Sequence, residues 1–440
     1  MRYSVAVPGF ARHAVCSPLT LASAVGVGML RTGGNAVDAA IATNLALAVA
    51  YPHMCGLGGD LLALVCQDGQ LAGVQAIGAL PARAALPPDG VPLHGIASAT
   101  VPGAPAGWRA LAERFGTRPL AELAAPAVRL AADGVERSPG LARMTELCRD
   151  LLAQDAEAAR IFLAGDRLVQ PELARTLADL DGFYAGPVAA AAPAPFTPQD
   201  FAAQTVEWVD PLRAPLAGGE ACAMPPPSRG HLVLDAIRRL EPPGGHAPDD
   251  PAFHLRLVRA LSAATFGGDT IYLCVVDQHG TAVSLSQSLY MAFGSGVVVP
   301  GTGVLLHDRG AYHTPATYRG GAKPVHTLSP AMVLRNGRPW LVLGTMGGDA
   351  QPQIVLQLLA RILLAGEDPQ HAVAAPRWCF DRSVLLAEEG VPPLDHLPAG
   401  ITTTPMPVPD LAGHAHAILL EADGLHAACD PRADGVALGD

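Results

Sequence analysis

The feature that most constrains the fold is a β-hairpin pattern in the second half of the chain. Residues 270–277 are rich in β-branched and large apolar side chains, residues 278–280 have turn character, and residues 281–289 form a second apolar run. Two helical patterns, at residues 19–31 and 37–49, come well before this hairpin. Helices and strands mixed in this way predict a layered α/β or α+β protein.

The ends of several elements are also predictable. Ser17, followed by a proline, is expected to cap the first helix, and Asn35, after a glycine pair, to cap the second. Glycines between residues 56 and 59 lead into a predicted buried strand at residues 61–65. Further predictions are interrupted helical structure at 111–132, helices at 253–264 and 353–364, a surface connection at 189–198, and strands at 297–299, 332–335 and 340–343.

Length and composition limit the class of protein. The chain has 440 residues, half of them hydrophobic and only 16% charged, with 47 glycines and 41 prolines. These values are typical of a well-packed, turn-rich enzyme with one large multilayer domain or two closely packed halves. The formal net charge of -11, with no Lys/Arg cluster to overcome it, argues against a nucleic-acid partner.

The sequence gives little indication of disulfide bonds, a secretory leader or a membrane-spanning segment. The eight cysteines include no C-x-x-C pair, which is typical of reduced, buried thiols rather than of a disulfide framework or a zinc site. The first residues lack the pattern of a secretory leader. The best apolar run, residues 36–50, contains Asp38 and Asn44 and is short for a membrane span. A cytoplasmic protein without a membrane partner is therefore expected.

The segment before the hairpin suggests a nucleophile. Gly267-Gly268-Asp269-Thr270 places a hydroxyl residue at the start of a strand, behind a flexible glycine pair. This is weak evidence by itself, because threonine is a common strand residue. Its significance depends on the other motifs of the chain.

Motifs spread over nearly the whole chain resemble those of the gamma-glutamyltransferase family. In order they are residues 33–40, Pro52-His53 with Gly56, Gly58 and Gly59, Val101-Pro102-Gly103, Val276-Asp277, Phe293-Gly294-Ser295-Gly296, residues 301–306, Leu328-Ser329-Pro330, Gly347-Gly348, Ala375-Pro376-Arg377 and Asp430-Pro431-Arg432. Each string is short, but their order together is specific.

The resemblance implies a self-cleaving N-terminal-nucleophile hydrolase with an α+β fold, a four-layer αββα sandwich. Counting back from Val276-Asp277, the family pattern puts the nucleophile at Thr270 and the scissile bond between Asp269 and Thr270. Residues 1–269 would then form the large subunit and residues 270–440 the small subunit of a single domain.

The implied chemistry needs a hydroxyl beside a free α-amine, since a threonine hydroxyl is a weak nucleophile until the amine released by cleavage accepts its proton. The resemblance places oxyanion-binding amides at Gly347 and Gly348, where each such donor contributes on the order of 3 kcal/mol. It places a hydroxyl that orients the nucleophile at Ser288. No metal or cofactor is expected, because the sequence lacks His-Glu-x-x-His and offers only His414-Ala415-His416.

The substrate clamp, meaning the set of polar side chains that hold the γ-glutamyl group, differs from that of glutathione-cleaving members. The arginine, asparagine and serine-pair positions that hold a γ-glutamyl group fall on Ile77, Tyr290 and His326-Thr327, and the acidic stretch reads as residues 307–310. Loss of these groups should greatly reduce selectivity for a zwitterion. The local strings resemble the oxamate amidohydrolase and cephalosporin acylase branch, which implies a small amide or acyl amide. The candidate substrate-binding residues, each with an ordinary interpretation as a packing or surface residue, are Tyr290, His307, Arg309, His326 and Thr327.

Two alternatives stay open at this point. The stretch between residues 228 and 270 is shorter than family members usually have, which leaves open an unprocessed, non-catalytic relative. The other is a true glutathione hydrolase or gamma-glutamyltransferase with an altered clamp. On the main interpretation the partners are a small-molecule amide, water or an amine as acceptor, and the two subunits of one precursor, with a homo-oligomer left open.

Overall fold

The computed structural model describes residues 9–10, 12–240, 247–261 and 269–440, without the side chains of Asp269 and Pro409. Gly267 and Gly268, the glycine pair expected ahead of the nucleophile, lie outside the described residues. The described part combines helices and strands throughout its length, which confirms the mixed class predicted from the sequence.

The helices are distributed along the chain. The α-helices of the described residues are α1 Thr20–Arg31, α2 Ala36–Ala50, α3 Ala104–Phe115, α4 Leu120–Asp133, α5 Pro139–Leu147, α6 Arg149–Leu152, α7 Ala156–Phe162, α8 Pro171–Ala178, α9 Pro187–Ala191, α10 Pro198–Ala202, α11 His231–Arg239, α12 Pro251–Ala260, α13 Gln351–Leu359 and α14 Pro369–Ala374. Short 3-10 turns are Ile96–Ser98, Arg309–Tyr312, Gly348–Ala350 and Pro409–Ala412, and a π-turn, Ala360–Leu364, follows α13.

The strands are concentrated before α1, between α2 and α3, and after α10. They are β1 Gly9–Phe10, β2 Ala14–Cys16, β3 Asp60–Gln67, β4 Gln70–Ala76, β5 Val135–Glu136, β6 Arg167–Leu168, β7 Glu207–Val209, β8 Leu212–Leu216, β9 Gly219–Ala223, β10 Asp269–Val276, β11 Ala282–Tyr290, β12 Val298–Val299, β13 Val304–Leu305, β14 Ala331–Arg335, β15 Arg338–Thr345, β16 Trp378–Asp381, β17 Val384–Ala387, β18 Thr402–Pro405, β19 Ala415–Glu421, β20 Gly424–Cys429 and β21 Ala437–Gly439. The predicted hairpin is confirmed as β10 and β11, which pair antiparallel.

Two seven-stranded sheets dominate the structure. Sheet I has the order β21-β2-β10-β11-β3-β4-β7, and sheet II has the order β1-β20-β19-β15-β14-β9-β8. Each sheet contains strands from before and after residue 270. The two segments of the chain therefore share both sheets, whereas the predicted subunit boundary at residue 270 stays a prediction.

Three hydrophobic clusters show how these elements pack. One joins α1, α2, α3 and α4 to sheet I. A second lies between the sheets, where Leu62 and Tyr272 of sheet I accompany Val342 and Ile418 of sheet II. The third joins α11, α12, α13 and α14 to sheet II. Burial of such large apolar side chains contributes roughly 1.5–3 kcal/mol each. The finer prediction of a four-layer αββα sandwich stays a prediction.

The second helix, α2, is a core helix whose start was predicted correctly. Asn35 accepts hydrogen bonds from the backbone amides of Val37 and Asp38, and Asp38 bonds back to the Asn35 amide, so the pair forms a capping box. All fifteen residues of α2 are buried. None of the helices in the described ranges is long and apolar enough to cross a membrane.

The prediction for the first helix cap was wrong. The N-cap of α1 is Leu19, and no side chain in the described part of the chain caps it. Ser17 instead donates to the Leu19 carbonyl over 3.0 Å. The Thr20 amide donates to the carbonyl of Asp434, and Leu19 forms a bridge with the same residue. This pairing with a distant segment holds the chain extended up to residue 19.

The predicted surface connection at residues 189–198 is also partly wrong. Pro187 begins the short helix α9, and Val188 and Ala189 are buried against the first cluster. Proline at the first helical position favours such a start. The Ala-rich composition suggested a loop because the tertiary contacts that bury it are not visible in the sequence.

Candidate active site

Thr270 stands at a break in the pairing of β10 with β11. Asp269 faces Tyr290 and Ile271 faces Gln287, so that Thr270 is matched by two residues of β11. A bulge of this kind re-aims a side chain and increases the local twist. Thr270 is 1% exposed. The residue predicted as nucleophile therefore lies shielded at an irregularity of sheet I.

Gln351 contacts the Thr270 hydroxyl directly. The side-chain amide of Gln351 donates to Thr270 Oγ1 over 3.2 Å, and its carbonyl oxygen accepts from the Ser329 amide over 3.0 Å. Gln351 begins α13, immediately after the turn Gly348–Ala350. Gln351 was not predicted from the sequence, although its position three residues after the glycine pair was an available signal.

The glycine pair at the end of β15 adopts a backbone that other residues rarely take. Gly347 has φ 123° and Gly348 has φ 52°. A β-carbon at Gly347 would also lie 3.3 Å from Ile354 Cδ1. The Ala350 amide donates to the Gly347 carbonyl over 2.9 Å, which closes the turn. The proposed role of the two glycine amides toward a substrate oxygen stays a prediction.

Ser288 is the centre of a small hydrogen-bond network. Its hydroxyl accepts from the Tyr290 amide over 2.7 Å and from Arg309 Nη2 over 3.0 Å. On β3 its register partner is Asp60. Thr270, Ser288 and Asp60 thus belong to three neighbouring strands at the same end of sheet I. The predicted orienting hydroxyl lies beside the predicted nucleophile along the sheet.

Arg309 contacts three of the other predicted site residues. Its Nη1 donates to Thr327 Oγ1 over 3.0 Å, and its guanidinium carbon lies 4.4 Å from the centre of the Tyr290 ring. Together with the bond to Ser288, these contacts enclose a guanidinium that has 0% exposure. Tyr290 has φ 80°, an unusual conformation for a bulky residue. Such outliers persist where the surroundings enforce them, commonly at functional sites.

The two predicted site histidines are buried next to Asp60. His326 Nε2 lies 3.2 Å from Asp60 Oδ2, and His307 Nε2 lies 2.8 Å from Thr100 Oγ1. The 3.7 Å between His307 Nδ1 and Asp60 Oδ2 is too long for a hydrogen bond. Both imidazoles have 0% exposure. The geometry therefore gives them protein partners, and any contact with a substrate stays a prediction.

Burial shifts the ionisation of this group strongly. Burial raises the pKa of Asp60 to about 7, against the opposing effects of the Gly78 amide and Arg309. Burial lowers the pKa of His307 to about 3 and that of His326 well below its usual value. Both histidines are therefore neutral near pH 7. Asp60 was not among the site residues predicted from the sequence, although it directly follows Gly58-Gly59 in one of the motifs.

A second polar group lies next to the glycine turn. Tyr312 donates through its hydroxyl to Asp349 Oδ1 over 2.5 Å, and Arg229 Nη1 lies 2.7 Å from the same oxygen. The Tyr312 ring makes an edge contact with Tyr290, with 5.5 Å between ring centres. These contacts link Arg309 to the turn at Gly348 through Tyr290, Tyr312 and Asp349. Tyr312, Asp349 and Arg229 were not among the site residues predicted from the sequence.

No metal cluster accompanies these residues: within the described ranges, no group of three or more His, Cys, Asp or Glu side chains is arranged to hold a metal ion. His414 immediately precedes β19 and His416 is the second residue of that strand, and both side chains are buried. His414 Nε2 lies 3.2 Å from Asp410 Oδ1.

The site residues fall within two long matched ranges. The sequence model of the family described as gamma-glutamyltranspeptidase matches residues 22–243 and 245–440. The chain belongs to the gamma-glutamyltranspeptidase family. This confirms the family resemblance inferred from the motifs.

Relatives of this gamma-glutamyltranspeptidase family member match nearly the whole chain. The chain is 32% identical to the glutathione hydrolase-like YwrD proenzyme of Bacillus subtilis, over 97% of this chain and 98% of the relative. It is 31% identical to the oxamate amidohydrolase proenzyme of Klebsiella pneumoniae, over 96% and 97%. The crystal structure of cephalosporin acylase from Bacillus halodurans superposes with a TM-score of 0.92 and 27% identity, covering 100% of this chain and 98% of the acylase.

Two motifs of this gamma-glutamyltranspeptidase family member form a buried ion-pair cluster. Arg377 contacts Asp430, which also accepts from the Ala415 amide over 2.8 Å and from Arg432 Nη1 over 2.9 Å. Arg377 Nη2 donates to the Gly413 carbonyl over 2.9 Å. A β-carbon at Gly347 would lie 3.5 Å from Gly413 Cα. The cluster therefore supports the segment that packs behind the glycine turn.

Proposed function

We propose that this protein is an N-terminal-nucleophile amide hydrolase or acyltransferase that cleaves its own chain between Asp269 and Thr270. The observation that carries the proposal is the position of Thr270 Oγ1, which is buried at a strand bulge and hydrogen-bonded by Gln351. The proenzyme names of the relatives from Bacillus subtilis and Klebsiella pneumoniae support self-processing.

The proposed reaction uses one residue for two roles. In the precursor, Thr270 Oγ attacks the Asp269 carbonyl, and the peptide C–N bond breaks to give an ester and the free Thr270 amine. Water then hydrolyses the ester, which leaves a carboxylate on Asp269 and restores the Thr270 hydroxyl. In turnover, this amine takes the hydroxyl proton while Oγ attacks the substrate carbonyl, and returns the proton to the leaving amine. Water or an amine then releases the acyl group. Amides of Gly347 and Gly348 would stabilise the oxyanion.

The shared sheets support the proposed subunits. Cleavage after Asp269, the first residue of β10, would leave residues 1–269 and 270–440 held together by the strand pairs of β10 with β2 and of β11 with β3. In the αββα sandwich that we propose, the two inner layers are sheet I and sheet II. The two outer layers are the helices that pack on sheet I and those that pack on sheet II.

The proposed substrate is a small amide rather than glutathione. Ile77, which occupies the position of the glutamyl-binding arginine, is 2% exposed and packs in the cluster between the sheets. An apolar side chain cannot replace the charged hydrogen bonds of an arginine. The relatives named as an oxamate amidohydrolase and a cephalosporin acylase act on non-glutamyl amides by their names, which supports this choice.

Denaturing electrophoresis with N-terminal sequencing tests the processing step. We expect two fragments, the smaller beginning at Thr270. Thr270→Ala should remain a single chain without amidase activity, whereas Thr270→Ser should retain part of both functions. A full-length wild-type band that persists on long incubation would favour the unprocessed, non-catalytic relative. A panel of γ-glutamyl anilides, oxamate and acyl amides then separates a glutathione hydrolase with an altered clamp from a small-amide hydrolase.

A further inference from the structure

Three of the eight cysteines meet in the hydrophobic cluster between the two sheets. Cys16 lies on β2 and Cys274 on β10 of sheet I, and Cys429 is the last residue of β20 in sheet II. Cys16 and Cys274 are register partners on neighbouring antiparallel strands. Cys274 follows Thr270 by four residues on β10, roughly 13 Å along the strand. The three thiols therefore form a group apart from the proposed nucleophile.

Cys16 is the thiol that contacts both of the others. The thiols of Cys274 and Cys429 each hydrogen-bond to its sulfur. Cys16 Sγ also reaches the Ala417 carbonyl of sheet II over 3.9 Å, and Cys429 Sγ reaches the Ser17 carbonyl, next to Cys16, over 3.7 Å. The side chains of Cys16 and Cys429 thus cross the space between the sheets from opposite sides. Rotation of these side chains can bring the two sulfurs to the disulfide bond length of about 2.05 Å.

The hydrogen bonds favour the thiolate form at Cys16. Burial alone would raise the pKa of Cys16, but the hydrogen bonds from the Cys274 and Cys429 thiols more than offset this and lower it. Burial raises the pKa of Cys274 and of Cys429 well above the usual range. A thiolate, and not a thiol, is the form that a peroxide oxidises. Cys16 is therefore the sulfur of this group that reacts first.

Exposure and hydrogen bonding distinguish the two possible partners of Cys16. Cys429 is 7% exposed, whereas Cys16 and Cys274 are 0% exposed. A peroxide, which is close to water in size, therefore reaches the group from the side of Cys429. Cys274 is held on its own sheet by a hydrogen bond with the buried Tyr272 hydroxyl. The thiol that is free to follow the oxidant to Cys16 is thus Cys429.

We propose that Cys16 and Cys429 are a peroxide-sensitive pair of thiols that closes to a disulfide between the two sheets. The Cys16 thiolate attacks one oxygen of hydrogen peroxide, and the O–O bond breaks to give a sulfenic acid and hydroxide, which takes up the proton that Cys16 released. The Cys429 sulfur then attacks the Cys16 sulfur, the S–O bond breaks, and the hydroxyl group leaves with the Cys429 proton as water. Two thiols are oxidised, and the peroxide is reduced to two molecules of water.

The disulfide would join the two proposed fragments. Cys16 precedes the proposed scissile bond, and Cys429 follows it. Oxidation would therefore link residues 1–269 covalently to residues 270–440, which are otherwise held together by strand pairing and packing. This consequence rests on the proposed function, because it takes the chain as cleaved before Thr270. The disulfide itself does not depend on cleavage.

Non-reducing denaturing electrophoresis tests the link between the fragments. Processed wild-type protein is treated with a small molar excess of hydrogen peroxide, denatured, and blocked with N-ethylmaleimide. We expect most of the two fragments to run as one linked band, which dithiothreitol separates again. Fragments that stay separate, with Cys16 and Cys429 both alkylated, would overturn the proposal.

Serine variants identify the two sulfurs. Cys16→Ser and Cys429→Ser should each abolish the linked band, whereas Cys274→Ser should still form it. Cys379→Ser is the matched control, because Cys379 is also buried and follows the scissile bond but donates to the Leu411 carbonyl over 3.2 Å. Circular dichroism confirms that each variant is folded. A link that survives in Cys429→Ser and disappears in Cys274→Ser would contradict the assigned pair.

Peptide mapping keeps this proposal separate from the proposed function. Wild type and Thr270→Ala are oxidised in the same way, digested without reduction and analysed by mass spectrometry. In both we expect a linked peptide pair that contains Cys16 and Cys429 and has lost two hydrogen atoms. That pair in a wild-type chain that has not been cleaved would support the disulfide while the proposed function fails. A Cys16–Cys274 pair, or a sulfinic acid at Cys16 without any disulfide, would refute the inference even in a fully cleaved enzyme.

Discussion

Gln351 Nε2 lies 3.2 Å from Thr270 Oγ1 and donates a hydrogen bond to it, although 81 residues separate the two in the sequence. Thr270 belongs to sheet I, and Gln351 begins the helix that follows the last residues of β15 in sheet II. The predicted nucleophile is therefore held from the opposite sheet. The site is assembled where the ends of the two sheets meet.

Gln351→Ala should slow both self-cleavage and turnover. The variant removes the donor to Thr270 Oγ1 and the acceptor of the Ser329 amide, so the hydroxyl loses its fixed orientation. We expect kcat to fall by roughly 10- to 100-fold. Cleavage half-time on a denaturing gel and kcat on an active amide are the measurements. The control is Gln353→Ala, because Gln353 is buried on the same helix but bonds to the Phe380 backbone. It should lose stability without a matching loss of kcat.

Ser288→Ala should affect stability and chemistry together. Its hydroxyl accepts from the Tyr290 amide and from Arg309, and both donors are buried. Loss of a shared acceptor costs about 1–3 kcal/mol of the free energy of unfolding. We expect urea denaturation to report that loss and kcat to fall as well. Ser288→Thr keeps the hydroxyl and should recover most of both. If the alanine variant matched wild type in kcat, Ser288 would have no role in orienting Thr270.

His416 should make the fold sensitive to acid. Its ring is fully buried, has no hydrogen-bond partner among the described residues, and stacks near Tyr272, with 6.3 Å between ring centres. Burial lowers the pKa of His416 to about 3. Between about pH 6.5 and pH 3, His416 therefore binds a proton in the unfolded chain but not in the folded one. The contribution of neutral His416 to the free energy of unfolding is fully present at neutral pH and is lost as the pH falls from about 6.5 toward 3.

His416→Phe removes this contribution. The free energy of unfolding of wild type should drop between about pH 7.5 and pH 5 by about 2 kcal/mol more than that of the variant. Urea denaturation at the two pH values measures the difference. His279→Gln, at an exposed turn, controls for the loss of a histidine as such. Parallel pH profiles of wild type and His416→Phe would contradict the prediction.

Asp430→Asn should destabilise the fold strongly. Burial alone would raise the pKa of Asp430, but Arg377 and Arg432 more than offset this and hold it well below the usual range. Neutralising the carboxylate leaves the buried Arg377 without its ion-pair partner, which typically costs 3–5 kcal/mol. Chemical denaturation should detect this loss. Asp423→Asn is the control, because Asp423 forms an exposed pair with His426 and such pairs contribute about 0–1 kcal/mol.

Local patterns in the sequence were sufficient for several elements. The hairpin of β10 and β11, the Asn35 cap and the core helix α2 all follow from side chains close together in the chain. The ordered motifs were likewise sufficient to indicate the family, and they placed Thr270 at the start of the hairpin, where it is the second residue of β10. The hairpin and the helix cap depend on contacts between residues close together in the chain, and the family is indicated by the order of the motifs alone.

The tertiary structure decided which side chains surround Thr270. Gln351 bonds to Thr270, Asp60 pairs with Ser288, and Tyr312 contacts Tyr290. These three residues come from distant segments, and although Gln351 and Asp60 lie close to glycine motifs, their proximity to one another is not encoded locally. The cap expected at Ser17 was wrong for the same reason, since a bridge to Asp434 keeps that segment extended. Sequence periodicity encodes which face of an element is buried, whereas the partner across the core depends on how two sheets and their helices pack together.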